Sequence, residues 1–107
     1  MYASKIVASL GLFLGLATAT VNIGKDSAGD TVAWIGGESE CTNVFIAGNG
    51  ANPCGINFTL NNGFTYHLVG CGGAGLSLDN GDGSFNSNCQ FGEQNLQCGV
   101  QQQWSCF

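Results

Sequence analysis

The sequence predicts an all-β fold, a small disulfide-stapled antiparallel β-sandwich or barrel. Three observations predict it. Residues 56–69 (INFTLNNGFTYHLV) are two alternating runs joined by Asn61-Asn62-Gly63, and Asn-Gly between alternating runs is the strongest short-range hairpin signal. About seven short strand-like runs recur at regular spacing with glycine-rich turns between them and no convincing long helix. Six cysteines, Cys41, Cys54, Cys71, Cys89, Cys98 and Cys106, lie in a chain too short to rely on its core alone.

The faces of the central hairpin decide its loop length. A two-residue loop at Asn62-Gly63 would set Phe58 opposite His67. A three-residue loop sets Leu60 opposite Phe64, Phe58 opposite Tyr66 and Ile56 opposite Leu68. Only the second gathers apolar residues on one face, and a one-residue slip would undo it. It also puts Gly63 at the left-handed position that follows a type I turn.

Residues 1–19 read as a secretory signal peptide and residues 20–107 as a single cysteine-rich domain. Lys5 charges the short start, residues 6–17 are an apolar run too short to span a bilayer, and Ala17-Thr18-Ala19 fits a cleavage site. The competing reading is a buried or anchoring helix. No stop-transfer pattern follows, and Gly11 and Gly15 weaken a helix.

Cleavage would leave 88 residues and take the formal charge from −5 to −6, because Lys5 departs. Lys25 is then the only base. One lysine and no arginine cannot neutralise a row of phosphates, so nucleic acid is excluded as a partner. Attraction to anionic membranes fails for the same reason, and no membrane insertion is expected after cleavage. An even cysteine count in a short secreted chain implies three disulfides, each stabilising by roughly 2–4 kcal/mol. Zinc is the competing reading, but no C-x2-C pair occurs and the lone His67 sits in a predicted strand. No metal or cofactor is expected.

Taken in order, residues 20–24 lead as a short strand and residues 25–30 are a turn-rich loop. Residues 31–35 (TVAWI) form a strand with Val32 and Trp34 on one face. Gly36-Gly37 ends it, and Glu38-Ser39-Glu40 is solvated. Residues 42–47 are the next strand, anchored by Cys41, and residues 48–53 are a loop whose Pro53 stiffens entry to the hairpin. Gly70-Cys71-Gly72-Gly73 is a tight corner, and Leu76-Ser77-Leu78 is a short strand. The turn at residues 79–83 fits a two-residue loop at either Gly81-Asp82 or Asp82-Gly83. Residues 84–91 then alternate, with Phe85, Ser87, Cys89 and Phe91 on the core face. A short helix around residues 93–97 is the one helical candidate. The last segment, residues 97–107, aligns Cys98, Val100, Trp104 and Cys106 on one face, with Gln102 breaking the pattern.

Six cysteines allow 15 pairings. Cys54 and Cys71 flank the open end of the hairpin, but in regular strands their side chains would point to opposite faces; Gly55 and Gly70 relax that objection. Cys98 and Cys106 cannot join if the strand between them stays extended, since eight residues span roughly 27 Å.

Residues that carry chemistry are sparse. Asn57-Phe58-Thr59 is a glycosylation sequon with Asn57 on the outward face of the hairpin, against which stands the plain reading of an unused sequon. A calcium loop opened by Asp79 or Asn80 would end at Gln90 or Phe91, so it lacks the bidentate carboxylate, and turn chemistry is the better account. His67 lies opposite Asn57 on the outer face, and no G-x-S-x-G occurs to supply a nucleophile. Glu38, Glu40, Asp79, Asp82 and Glu93 offer no pair singled out by spacing. No catalytic residue is assigned. Trp34, Trp104, Tyr66 and Phe107 would serve as a sugar platform only if some stay exposed; as core they need no function.

The leader, the six cysteines and the Gly/Asn-rich acidic remainder together resemble fungal small secreted cysteine-rich proteins, the class from which candidate effectors are drawn. Hydrophobins have eight cysteines with adjacent pairs, unlike this chain, and defensin-like proteins are usually basic. Killer-toxin-like and crystallin-like folds remain as relatives, and an α/β killer-toxin-like sandwich is the alternative fold. The resemblance implies a secreted, non-enzymatic, effector-like binding protein that acts on a host or competitor protein outside the producing cell. A carbohydrate-binding module for cell-wall polysaccharide is the second expectation, and a small secreted toxin or hydrolase the third.

Overall fold

The computed structural model is all-β and describes residues 20–73 and 75–107. The leader expected at residues 1–19 lies outside the described residues. Eight strands follow in order: β1 (Val21–Lys25), β2 (Thr31–Ile35), β3 (Val44–Ala47), β4 (Phe58–Thr59), β5 (Thr65–Val69), β6 (Ser77–Asn80), β7 (Phe85–Asn95) and β8 (Gln101–Cys106). All pair antiparallel in the spatial order β3-β2-β1-β8-β7-β6-β5-β4. Every strand pairs with its chain neighbour except across β3 and β4, and β8 returns to β1. This is an up-and-down barrel that is nearly closed, with its seam between β3 and β4.

The α/β alternative is corrected. Among the described residues the only helical backbone is two 3-10 turns, Glu40–Thr42 and Gln97–Gly99. The helix expected around residues 93–97 is also corrected: Glu93 to Asn95 complete β7, and the curl begins only at Gln97.

One turn recurs. Leu60 donates its N–H to the Phe64 carbonyl at 3.1 Å, and Gly63 donates back to the Leu60 carbonyl at 2.9 Å. That is the three-residue loop expected from the faces, with Gly63 at φ +83° and Phe58 opposite Tyr66. The same pair of bonds closes the β1–β2 turn between Asp26 and Asp30 and the β6–β7 turn between Asn80 and Ser84. The two-residue loop expected at residues 81–83 is therefore a three-residue one. Asn62 and Asp82 each accept the N–H two residues on, a bond made wholly within the turn.

Asp82 adds a bond from the Ser84 hydroxyl at 2.6 Å, and that hydroxyl, then the Ser84 N–H, hold its carboxyl below its ordinary value of 3.8. A group whose folded pKa is depressed contributes stability that is whole above the unfolded value and is lost as pH falls through the folded one. Asp82→Ala is therefore expected to lower the urea midpoint at neutral pH, with the difference from wild type closing in acid below 3.8. Paired urea titrations across that range check it, and a difference independent of pH would refute the assignment.

β4 is shorter than the sequence run. Gly55, at φ +81°, turns the chain so that its N–H bonds the Leu68 carbonyl at 3.0 Å. Ile56 is thereby displaced from its expected place opposite Leu68 and is exposed, as is Phe64. Phe58, Leu60, Tyr66 and Leu68 keep the apolar face and are buried.

The main core fills the barrel with Val21, Ile23, Ala33, Ile35, Phe58, Leu60, Tyr66, Leu68, Leu78 and Cys106 among others. A second cluster covers the other face of β2, where Val32 and Trp34 pack on Val100 and Leu96. Both faces of β2 are thus buried, as its unbroken apolar run suggests.

Bulges redirect two expected side chains, Phe85 and Val100. On β7 the pairing steps from Leu78 opposite Ser87 to Asp79 opposite Phe85, so Asn86 is an extra residue and Phe85 swings outward. Phe91 keeps regular register, opposite Trp104 and just before a second shift, and is exposed all the same. On β8 the extra residue against β1 is Gln103, beside the Gln102 irregularity in the sequence. Trp104 and Cys106 therefore share the core face, while Val100 joins the outer cluster. β1 meets β8 so closely at Gly24 that a Cβ there would collide with the Gln101 carbonyl.

The disulfides are Cys41–Cys98, Cys54–Cys71 and Cys89–Cys106. Cys89 and Cys106 face each other across β7 and β8. Cys54 and Cys71 meet because Gly55 and Gly70 both take positive φ, which turns each cysteine from its regular face. Cys41 and Cys98 tie the two 3-10 turns, helped by Glu40, whose carboxylate accepts the Gln97 N–H at 3.1 Å.

Candidate binding sites

A pocket of about 200 Å³ opens where the β5–β6 loop meets the ends of β1, β2 and β8. Its apolar walls are Ile23, Leu68, Leu76 and Trp104; Pro53 and the loop at residues 70–73 form its lip. The Cys54–Cys71 bond fixes that lip, and the Cys71 N–H donates to the Cys54 sulfur at 3.1 Å. Gly70 (φ +89°) runs against the Gly75 carbonyl so tightly that no side chain fits.

Three polar residues, Lys25, Thr31 and Gln103, line this apolar recess. Lys25 continues the inward face of β1 from Val21 and Ile23, and Thr31 continues the inward face of β2 from Ala33. The two stand directly opposite each other in the β1–β2 ladder. Gln103 enters from the bulge on β8. Thr31 is 4% exposed, and its hydroxyl has no hydrogen-bond partner. The hydroxyl of Ser87 inside the barrel is likewise unpartnered, but Ser87 does not line the pocket. Trp104 receives Phe91 edge-on, with ring centres 5.2 Å apart.

The outward row across β4, β5 and β6 forms a second cluster. His67 Nδ1 lies 3.2 Å from the Asn57 side-chain oxygen, and Nε2 lies 3.7 Å from an Asp79 carboxylate oxygen. The sequence places His67 opposite Asn57, and the structure adds Asp79 beside it. A hydrolase needs a nucleophile next, but the residue across from Asp79 is Phe85. The row lies outside the pocket, and only Asn57 of its three residues borders the shallow hollow beside Phe64. Asn57 is exposed, and its bond to His67 uses the oxygen, leaving the nitrogen that a glycan would take.

The other carboxylates are dispersed. Glu40 holds Gln97, Asp82 holds Ser84, and Glu38 reaches Asn61 at 3.5 Å. The expected aromatic platform does not assemble. Trp34 is buried in the outer cluster, Tyr66 is in the core, Trp104 lines the pocket, and Phe107 is exposed where its N–H meets the Asn88 carbonyl. Phenylalanine takes the exposed positions instead. Phe45, Phe64, Phe85, Phe91 and Phe107 are each 60–62% exposed, and only Phe58 of the six described is buried.

No family model, curated protein or solved structure matches the chain.

Proposed function

We propose that the chain is a secreted, effector-like binding protein that acts outside the producing cell without catalysis. The observation that carries this reading is the placement of phenylalanine. Phe is among the residue types most often buried, because burying its ring stabilises a fold by roughly 1.5–3 kcal/mol. Here five of six described phenylalanines leave that stabilisation unused, and aliphatic side chains with cysteine make most of the core. Exposed aromatic surface on a rigidly stapled domain suits desolvation against a partner. The partner class is a host or competitor protein.

A second reading, a module for cell-wall polysaccharide, is favoured by the Trp104–Phe91 pair with Gln103 at its side. Co-sedimentation separates the two. The oxidised protein is mixed with chitin, β-glucan and cellulose, and with wall-free cells of a candidate host before and after protease treatment. Retention by untreated cells, lost after protease and weakened in Phe64→Ser/Phe85→Ser, is the expected result. Retention on one polymer would replace the leading reading with the second. Retention on nothing would overturn both.

A further inference from the structure

We propose that the pocket between Lys25, Thr31 and Trp104 binds a small apolar carboxylic acid. No phenylalanine lines the site, and of the exposed ones only Phe91 is described against one of its walls, Trp104, so this inference stands apart from the leading reading above.

A buried hydroxyl without a partner is costly, since its lost hydrogen bonds to water are not replaced. Thr31 lines the cavity, and its hydroxyl, covered in the unliganded protein, reaches an acceptor there once its side chain turns about the Cα–Cβ bond. Opposite it in the ladder is Lys25, the only cation of the described residues. Its chain carries seven acidic groups, yet none of the described ones lies within salt-bridge distance of Lys25. A cation held at an apolar recess without a carboxylate partner favours an anion there. Lysine and a hydroxyl together donate to both oxygens of a carboxylate, and Gln103 adds an amide donor.

The remainder of the ligand follows from the walls. Ile23, Leu68, Leu76 and the Trp104 ring offer only apolar contact. A dry cavity of roughly 150 Å³ holds a benzene ring, so about 200 Å³ fits one ring with a short acidic arm. A phosphate ester or a polysaccharide end would place polar groups against those walls. An arylacetic acid places its ring there and its charge at Lys25.

The test uses the oxidised protein with phenylacetate as the probe and phenylacetamide as its neutral counterpart. Binding is followed by calorimetry and by tryptophan emission. Phenylacetate is expected to bind at least about tenfold more tightly than the amide, as a charge-assisted hydrogen bond implies. Lys25→Gln should abolish that preference. Thr31→Val, which keeps the side-chain shape, should weaken phenylacetate several-fold while leaving the unliganded protein as stable as wild type or more so. A merely structural Thr31 would not give that combination. Equal binding of acid and amide, a preference that survives Lys25→Gln, or no binding of either probe would each overturn the proposal.

Discussion

Replacing Cys41 and Cys98 together by alanine is expected to cost about 4 kcal/mol of folding free energy, a large share of the 5–15 kcal/mol typical of a domain. The magnitude comes from the unfolded chain. This bridge closes a loop of 57 residues, against 17 for each of the others. Loop-closure entropy grows with the logarithm of length, so the long bridge exceeds Cys54–Cys71 by about 1 kcal/mol. Both cysteines are exposed, so alanine leaves no core void at this bridge, whereas Cys54 and Cys71 pack against the core and their replacement also loses contacts there, which narrows the gap. Cys98 also sits at φ +60°, a left-handed conformation that costs a non-glycine residue roughly 1–2 kcal/mol. The covalent tie holds it there. Equilibrium unfolding in guanidinium of the C41A/C98A and C54A/C71A variants checks the ranking. A smaller loss for C41A/C98A would refute the chain-entropy account.

How much of this was legible in the sequence depends on range. The hairpin around Asn61-Asn62-Gly63 is legible because its turn residues and both its faces lie within a dozen positions, so one register satisfies all of them. β2 is legible from five residues. Phe85 is not, because a single extra residue at Asn86 reverses the face of everything before it, and nothing local marks a bulge. The bridge between Cys41 and Cys98 is not, because it depends on how the β7–β8 turn curls back toward the 3-10 turn after β2. The pocket is the hardest case. Its polar groups come from the end of β1, the start of β2 and a bulge on β8, and each looks ordinary alone. One signal does exist. Lys25 falls on the inward period of Val21 and Ile23, where a charge is out of place unless it has work to do.

The aliphatic core and the three staples explain why the barrel stands; they do not use the exposed phenylalanines, Lys25 or the Thr31 hydroxyl. Residues that the fold does not use are where binding should be sought. Two distinct sets remain, one apolar and outward, the other polar and inward, and they imply partners of different size.

Leu78→Ala is expected to cost about 3 kcal/mol, from the range of roughly 2–5 for leucine truncation in a close-packed core. Leu78 has no exposed surface and lies between Leu68 on β5 and Ser87 on β7. Backbone pairing on both sides of β6 restrains collapse, so the void should persist and the loss should not fall to the bottom of the range. Leu78→Met, nearly equal in volume, should cost less than about 1.5 kcal/mol. Ser87 supplies the contrast. Its buried hydroxyl has no partner, so Ser87→Ala removes a desolvation penalty and should be neutral or stabilising, although the residue is almost as buried as its neighbour. Urea unfolding of the three variants measures all three values. A large loss in Ser87→Ala would mean that its hydroxyl is bonded, and that the interior of β7 is arranged differently. A loss below about 1 kcal/mol in Leu78→Ala would mean that the barrel closes around the missing side chain, which a sheet pinned by Cys89–Cys106 and the β6–β7 turn should resist.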